Sequence, residues 1–227
     1  MREGTGPARR GADVAARLRL VLVTDRTCAR RPLGDAVAAA CRGGVTCVML
    51  RAPDLDTRAL VALGADVARV CRDAAVTFVV NHDLDAALEL GADGVHLGYR
   101  SADVARARER LGPDRLVGRS THDAAELDAA CRAGADYVTF GPIHDTPSKR
   151  GLLAPRGAAR LADAVRRAAP VPVVALGGID VAAVAELRAT GAAGVAAIRA
   201  LLDVDDERAA AAALAAAWDA APRGAGA

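Results

Sequence analysis

Aromatic residues are almost absent from this chain of 227 residues: they make up 2% of it, whereas hydrophobic residues make up 52%. The core must therefore be packed from valine, leucine, isoleucine and alanine. No stripe of lysine and arginine interleaved with aromatics is present, which argues against a nucleic-acid surface. The net charge of +2 favours no strongly charged partner. We expect neither nucleic acid nor a membrane among the partners.

Cysteines are few, and their pattern excludes a disulfide framework. There are five, with irregular spacing and no C-x-x-C pair. This usage is typical of reduced thiols in a cytosolic protein, so we predict a cytoplasmic protein. The amino-terminal segment lacks the apolar stretch of a signal peptide, and the chain has no run of about 18 apolar residues that could span a membrane.

Short apolar runs alternate with longer amphipathic segments along the chain. The runs lack polar alternation, as expected for parallel strands buried on both faces. The predicted strands are Leu20–Thr24, Cys47–Arg51, Thr77–Asn81, Gly94–Leu97, Leu116–Ser120, Tyr137–Phe140, Val173–Leu176 and Gly194–Ala197. The predicted helices are Leu33–Arg42, Thr57–Asp73, Leu84–Leu90, Asp103–Leu111, Ala124–Ala133, Pro155–Ala168, Asp180–Thr190 and Asp206–Ala220.

A repeated phrase marks the junction between helix and strand, as in Gly91-Ala92-Asp93-Gly94 and Gly134-Ala135-Asp136-Tyr137. Glycine there supplies the left-handed helix cap. Eight strand–helix units predict an α/β fold, a single (β/α)8 TIM barrel, over residues 19–221, with a flexible tail at 1–18 and another at 222–227. An open doubly wound sheet would carry a glycine-rich loop after its first strand, where this chain has Thr24-Asp25-Arg26.

All four histidines fall at or just after predicted strand ends. His82 follows the third strand, His96 lies near the end of the fourth, and His122 and His144 follow the fifth and sixth. The carboxyl ends of barrel strands share one face, where such enzymes do their chemistry. We therefore predict a shared pocket there rather than four solvated loop side chains.

Hydroxyls, amides and cations gather at the same face and predict a phosphate site. The loop after the sixth strand, residues 141–151, combines hydroxyls, cations and glycines, which suits a lid over phosphate oxygens. Loops after the last two strands of barrels often bind phosphate. The candidate binding residues are Arg51, Asn81, Thr146, Ser148, Lys149, Gly177, Gly178, Ile198 and Arg199.

Longer stretches carry a more specific pattern: residues 22–26, 43–46, 91–98, 120–122, 134–143 and 175–179. Together they resemble the thiamine-phosphate synthase and thiazole tautomerase family over nearly the whole chain. The resemblance implies a barrel with its site at the strand carboxyl ends. The family's synthases join hydroxymethylpyrimidine pyrophosphate to thiazole phosphate with Mg²⁺ and release pyrophosphate. Its tautomerases move a proton on a thiazole carboxylate phosphate without metal.

The resemblance also implies roles for residues on the pyrimidine side of the site. Arg51 matches the pyrophosphate-binding arginine, Asn81 the neighbouring asparagine and Ser120 the pyrimidine-site serine. Two positions near that arginine in the sequence differ from the family pattern, because Met49 replaces the synthase glutamine and Pro53 replaces its lysine.

On the thiazole side, the match is closer. Thr146, Ser148 and Lys149 match the Thr-x-Thr-Lys of the synthase lid, with serine replacing one threonine. Gly178 matches the glycine at the thiazole phosphate. Ile198-Arg199 matches an Ile-Ser pair, so that arginine replaces the serine.

The metal site implied by the resemblance is altered. The two Mg²⁺-binding aspartates correspond to His82 and Ser101. Asp83 and Asp103 lie nearby, but we expect helix geometry to point them elsewhere. Because Mg²⁺ needs oxygen ligands, we predict no cofactor for a tautomerase, and Mg²⁺ only if the chain is a synthase.

These departures support three hypotheses, in the following order. The first is a tautomerase-like enzyme acting on a phosphorylated thiazole, with His144 or His122 carrying the proton and Ser120 beside them; the tautomerase histidine itself corresponds to Pro142. The second is a thiamine-phosphate synthase. The third is a non-catalytic, phosphate-binding regulatory barrel. Association into a homo-oligomer is compatible with each.

Overall fold

The computed structural model describes residues 7–98, 101, 103–146, 153–222 and 224. Its strands are β1 (Leu20–Val23), β2 (Cys47–Leu50), β3 (Thr77–Asn81), β4 (Gly94–Leu97), β5 (Leu116–Thr121), β6 (Tyr137–Phe140), β7 (Val173–Leu176) and β8 (Gly194–Ala197). All are parallel, each pairs with the next along the chain, and β8 pairs with β1. The predicted (β/α)8 barrel is confirmed.

Helices alternate with these strands and cover the outside of the barrel. They are α1 (Pro7–Arg17), α2 (Leu33–Arg42), α3 (Thr57–Asp73), α4 (Leu84–Glu89), α5 (Val104–Leu111), α6 (Ala124–Arg132), α7 (Gly157–Ala168), α8 (Val184–Ala189), α9 (Arg199–Leu202) and α10 (Glu207–Ala220). The predicted helices are present, most with shorter ends. Within the described residues, no helix combines the length and the apolar character needed to cross a membrane.

Helix α1 is the main departure from the sequence prediction, which places a flexible tail at residues 1–18. Val14 and Leu18 are buried together with inward-facing strand residues. Arg17 donates a hydrogen bond from Nε to Thr77 Oγ1 at the start of β3, at 3.0 Å. Helix α1 therefore packs against the amino-terminal end of the barrel. The signal for it in the sequence is the apolar pair at positions i and i+4.

The strands supply two apolar layers because successive side chains point to opposite faces of the sheet. Outward residues such as Leu22 and Val80 pack against the helices in one large cluster. Inward residues such as Val21, Met49 and Val174 form a second cluster inside the barrel. The barrel interior is therefore a filled core, and a ligand site can form only at its ends.

One large ring occupies the interior beside a glycine. Tyr137 is 1% exposed and lies opposite Gly118 in the register of β5 and β6. A Cβ atom on Gly118 would lie 2.2 Å from Tyr137 Cζ, a distance that real atoms do not adopt. Glycine at position 118 therefore makes the space that the Tyr137 ring fills.

This contact predicts a coupling between the two positions. We expect Gly118→Ala to lower the free energy of unfolding by about 2 kcal/mol through overpacking. In a Tyr137→Leu background, which lacks the clashing ring atoms, the same substitution is expected to lower it by less than about 1 kcal/mol. Urea denaturation of the four proteins measures both effects. Equal losses in the two backgrounds would show that the ring is not what excludes a side chain at position 118.

Candidate functional site

The carboxyl ends of β3 to β6 direct polar side chains toward the barrel axis. In the strand register Asn81 lies opposite His96, and Ser120 lies opposite Thr139. Closure of the sheet brings these residues together above the apolar interior. Two of them, Asn81 and Ser120, are partly exposed, so they are available to a ligand at the mouth.

His96 is the centre of this polar group. Its Nε2 atom lies 2.9 Å from Ser120 Oγ and 3.4 Å from Thr139 Oγ1, and its Nδ1 atom lies 3.1 Å from the Tyr137 hydroxyl. Burial, aided by the positive charge of Arg119, lowers the pKa of His96 to about 3. The ring is therefore neutral at physiological pH and serves as a hydrogen-bonding group.

The placement of His96 departs from the prediction that all four histidines line one shared pocket at the strand ends. Its side chain is 2% exposed and points into the barrel rather than outward at the mouth. The reason is its position within β4: alternation along the strand turns it toward the axis, whereas the other histidines follow their strands.

Arg51 lies at the carboxyl end of β2, with its backbone fixed by a buried threonine. The backbone N–H of Arg51 donates to Thr24 Oγ1 at 2.8 Å. Burial would raise the pKa of nearby Asp25, but hydrogen bonds from Thr27 and the charge of Arg51 lower it overall. Arg51 therefore stands at the mouth as a cation beside an ionised carboxylate.

His82 and Ser101 lie side by side at the neighbouring part of the rim. His82 Nδ1 is 3.4 Å from Ser101 Oγ, and that oxygen accepts a hydrogen bond from Gly98 N at 2.8 Å. The backbone N–H of His82 and the side chain of Asn81 both donate to His96 O, at 2.9 and 3.1 Å. His82 adopts a left-handed backbone with φ of 72°.

Three aspartates near the rim are engaged as helix caps, as expected for Asp83 and Asp103. Each accepts a hydrogen bond from a backbone N–H in the first turn of the helix that follows it. Within the described residues, no group of three or more histidine, cysteine or acidic side chains could hold a metal. The capping pairs are Asp83 with Ala86 at 2.9 Å, Asp103 with Arg106 at 2.7 Å, and Asp123 with Glu126 at 2.9 Å.

The donor set at the position of the implied Mg²⁺ does not fit that ion. Mg²⁺ is bound through carboxylate and other oxygen atoms in octahedral geometry. His82 offers an imidazole nitrogen and Ser101 a neutral hydroxyl. The adjacent Asp83 caps its helix and also accepts a hydrogen bond from Thr57 Oγ1 at 2.7 Å.

His122, a predicted proton carrier, is paired with Glu126 of α6, the helix that follows it in the chain. Its Nδ1 atom lies 2.9 Å from Glu126 Oε2, and its backbone N–H donates to the same oxygen at 2.7 Å. A carboxylate on one ring nitrogen orients the imidazole, as in general-base pairs. None of the contacts of the described residues joins this pair to Ser120.

The segment after β6 packs closely on the loop after β7. Ile143 N donates to Leu176 O and His144 N donates to Gly177 O, both at 3.0 Å. A Cβ atom on Gly178 would lie 2.7 Å from His144 Cβ. Gly178, predicted to let a phosphate approach the backbone, is thus also required by this packing; its phosphate role stays a prediction.

The remaining predicted residues belong to the loop after β6, of which the structure describes only the first part. His144 Nε2 is buried and has no hydrogen-bond partner among the described residues. Thr146 is the last described residue before the gap, and Ser148 and Lys149 lie outside the described residues.

The end of β8 leads directly into a short helix. Ile198 packs against the inward-facing cluster, and its carbonyl oxygen accepts hydrogen bonds from the backbone N–H groups of Leu201 and Leu202, both at 3.0 Å. Arg199 is exposed. The two residues therefore differ in setting, because Ile198 contacts the inner core whereas Arg199 is solvent-exposed; the phosphate role of both stays a prediction.

The sequence analysis missed Tyr137 and Thr139, which contact His96 from β6. A signal was present: within Tyr137–Phe140, the polar groups stand at alternate positions, and one face of a strand carries both of them. The strand was interpreted as uniformly apolar, so this face was not assigned to the site.

Comparison with known proteins places these features in a family. The family model described as "Thiamine monophosphate synthase" matches residues 20–201. A thiamine-phosphate synthase of Albidiferax ferrireducens is 41% identical over 190 residues, which cover 83% of this chain and 86% of that protein. One of Roseiflexus sp. is 40% identical over 194 residues, covering 85% and 82%. The solved structure of thiamine phosphate pyrophosphorylase from Pyrococcus furiosus superposes with a TM-score of 0.82 at 30% identity, covering 91% and 98%.

The buried neutral imidazole predicts a pH dependence of stability. The unfolded chain binds a proton at His96 below its ordinary pKa of 6.5, whereas the folded chain does so only near pH 3. The free energy of unfolding should therefore fall as the pH drops from 6.5 toward 3, with a His96 contribution approaching about 1.4 kcal/mol per pH unit.

Urea denaturation at several pH values, with His96→Gln as the comparison, measures this contribution. Glutamine carries no titrating group, so the slope below pH 6.5 should be shallower in the variant by about one bound proton. If the free energy of unfolding changed with pH equally in the two proteins, His96 would bind its proton in the folded chain at the same pH as in the unfolded chain.

Proposed function

We propose that this chain, which belongs to the thiamine monophosphate synthase family, is a thiamine-phosphate synthase. It joins hydroxymethylpyrimidine diphosphate to thiazole phosphate. The bond from the pyrimidine methylene carbon to the diphosphate breaks, a bond from that carbon to the thiazole nitrogen forms, and diphosphate leaves. The observation that carries the proposal is identity of 40–41% to two synthases over more than four-fifths of both partners.

This is the second of the hypotheses drawn from the sequence, and it replaces the first. The relatives described above are synthases, and they give no support to a thiazole tautomerase. Of the two predicted proton carriers, His144 has a buried Nε2 atom, and the His122–Glu126 pair makes no contact with Ser120 among the described residues.

Three residues at the β2, β3 and β5 ends suit the pyrimidine diphosphate. The guanidinium of Arg51 can pair with two phosphate oxygens at once. Asn81 and Ser120 present an amide and a hydroxyl at the mouth, where they can bind the pyrimidine ring and its attached oxygen. The barrel core below them excludes water from this end of the substrate.

The thiazole phosphate belongs on the opposite side, at the ends of β7 and β8. Gly177 and Gly178 expose backbone there, and Arg199 supplies a cation in place of the family serine. Thr146 stands at the edge of the segment that the sequence predicts to close over the phosphate. Both ligands are thus phosphorylated small molecules bound at one mouth.

The chain contributes little to a metal site. His82 and Ser101 do not match the oxygen ligands of Mg²⁺, and Asp83 and Asp103 are engaged as helix caps. We therefore assign the neutralisation of the diphosphate by protein groups to Arg51, and no step to a metal held by the chain.

Turnover by the purified protein tests the proposal. With hydroxymethylpyrimidine diphosphate and thiazole phosphate, we expect thiamine phosphate and diphosphate to form in equal amounts, measured by mass spectrometry and a diphosphate assay. Arg51→Met should lower kcat/KM for the pyrimidine diphosphate by about 10- to 100-fold, since a charge-assisted hydrogen bond is lost.

Arg72→Met is the matched control, because Arg72 is exposed on α3 and distant from the mouth; its kcat/KM should equal that of the wild type. Absence of thiamine phosphate, with Mg²⁺ added or removed, contradicts the proposal. Binding of thiazole phosphate without turnover would then indicate the regulatory barrel.

A further inference from the structure

A chain of three hydrogen-bonding groups runs from the barrel interior to the mouth. The Tyr137 hydroxyl lies 3.1 Å from His96 Nδ1, and His96 Nε2 lies 2.9 Å from Ser120 Oγ. Tyr137 and His96 are buried, whereas Ser120 is partly exposed. The direction of the protons along this chain decides what Ser120 can offer to a ligand.

The buried end of the chain fixes that direction. Burial raises the pKa of Tyr137 well above its usual range, so the phenol keeps its proton. Among the described residues, His96 Nδ1 is the acceptor within reach of that proton. A buried hydroxyl without an acceptor is strongly unfavourable. Tyr137 therefore donates to Nδ1, and the neutral imidazole must carry its own hydrogen on Nε2.

The position of the hydrogen on His96 determines which hydrogen bonds Ser120 can form. With its hydrogen on Nε2, His96 donates to Ser120 Oγ, and the hydroxyl of Thr139 is directed at the same oxygen from 3.5 Å. Ser120 Oγ thus accepts hydrogen bonds from groups on the interior side of the barrel. Its own hydrogen remains for a group at the mouth, so Ser120 meets a ligand as a hydrogen-bond donor.

We propose that His96 is a positioning residue that, held in one tautomer by Tyr137, makes Ser120 a dedicated donor to a hydrogen-bond acceptor of the substrate. This inference rests on the proposed function for the identity of that substrate, whose pyrimidine ring carries unprotonated nitrogen atoms. The site then selects a ring that presents an acceptor to Ser120 and discriminates against a ring that presents an N–H donor there.

The interior is built to hold this arrangement. Gly118 leaves the space that the Tyr137 ring occupies, and the two rings of Tyr137 and His96 lie with centroids 5.4 Å apart. Apolar residues such as Val79 and Leu116 line the barrel around them. With water excluded, the imidazole has few alternative partners, so a single proton arrangement dominates.

The tautomer is measured directly by ¹⁵N NMR of histidine-labelled protein, assigned by comparison with His96→Gln. We expect His96 to carry hydrogen on Nε2 in the wild type. In Tyr137→Phe, which removes the donor to Nδ1, we expect the other tautomer to become populated. Hydrogen on Nδ1 in the wild type, or an unchanged tautomer in the variant, overturns the proposal. This readout does not require turnover, so it stands even if the protein is not a synthase.

Kinetics then tests the effect on the substrate. Tyr137→Phe should lower kcat/KM for the pyrimidine diphosphate by about tenfold, the factor expected for one weakened hydrogen bond, and leave KM for thiazole phosphate unchanged. Thr121→Val is the matched control, because it removes a buried hydroxyl that donates to Thr139 O at 2.9 Å, without contact to His96. An equal rise in KM for both substrates in Tyr137→Phe would show that the phenol has only a structural role. An equal fall in kcat/KM in Thr121→Val would show the same.

Discussion

The backbone hydrogen bonds between β1 and β8 close the sheet, with Leu20 paired to Val195 and Leu22 to Ala197. Closure removes both sheet edges and sends every second side chain toward the axis. Helix α1 covers the amino-terminal end of the barrel, where its Val14 and the following Leu18 join the inner core. Only the carboxyl-terminal end is left for polar groups, so the site residues meet there although they are distant in the chain.

The same closure explains why one imidazole can be buried at low energetic penalty. His96 loses its solvation, which lowers its pKa, but hydroxyls from β5 and β6 replace water at both ring nitrogens. A neutral, fully hydrogen-bonded histidine is tolerated in a core where a charged one is not. The polar group therefore adds geometric definition to Ser120 without an ion pair in the barrel.

The rim illustrates a competition between capping and metal binding for carboxylates. Asp83 and Asp103 stand close to the position where the family resemblance implies Mg²⁺, yet each accepts a hydrogen bond from the first turn of its helix. A capping aspartate stabilises its helix by about 1 kcal/mol, and this stabilisation opposes its use as a metal ligand. With His82 and Ser101 at the positions of the two family aspartates, the donor groups there are an imidazole and a hydroxyl rather than carboxylates.

The barrel and its eight strands, each to within one residue, follow from the sequence, because hydrophobic periodicity and glycine caps are local properties. The sequence also predicted that Asp83 and Asp103 are diverted from the metal position, which their capping hydrogen bonds confirm, whereas the ligand roles of Arg51, Asn81 and Ser120 stay predictions. The packing of α1 on the barrel, the burial of His96 and its contacts with Tyr137 and Thr139 appear only in the tertiary structure. These facts depend on strand register and closure, which bring together residues about 40 positions apart, and no local pattern encodes that distance.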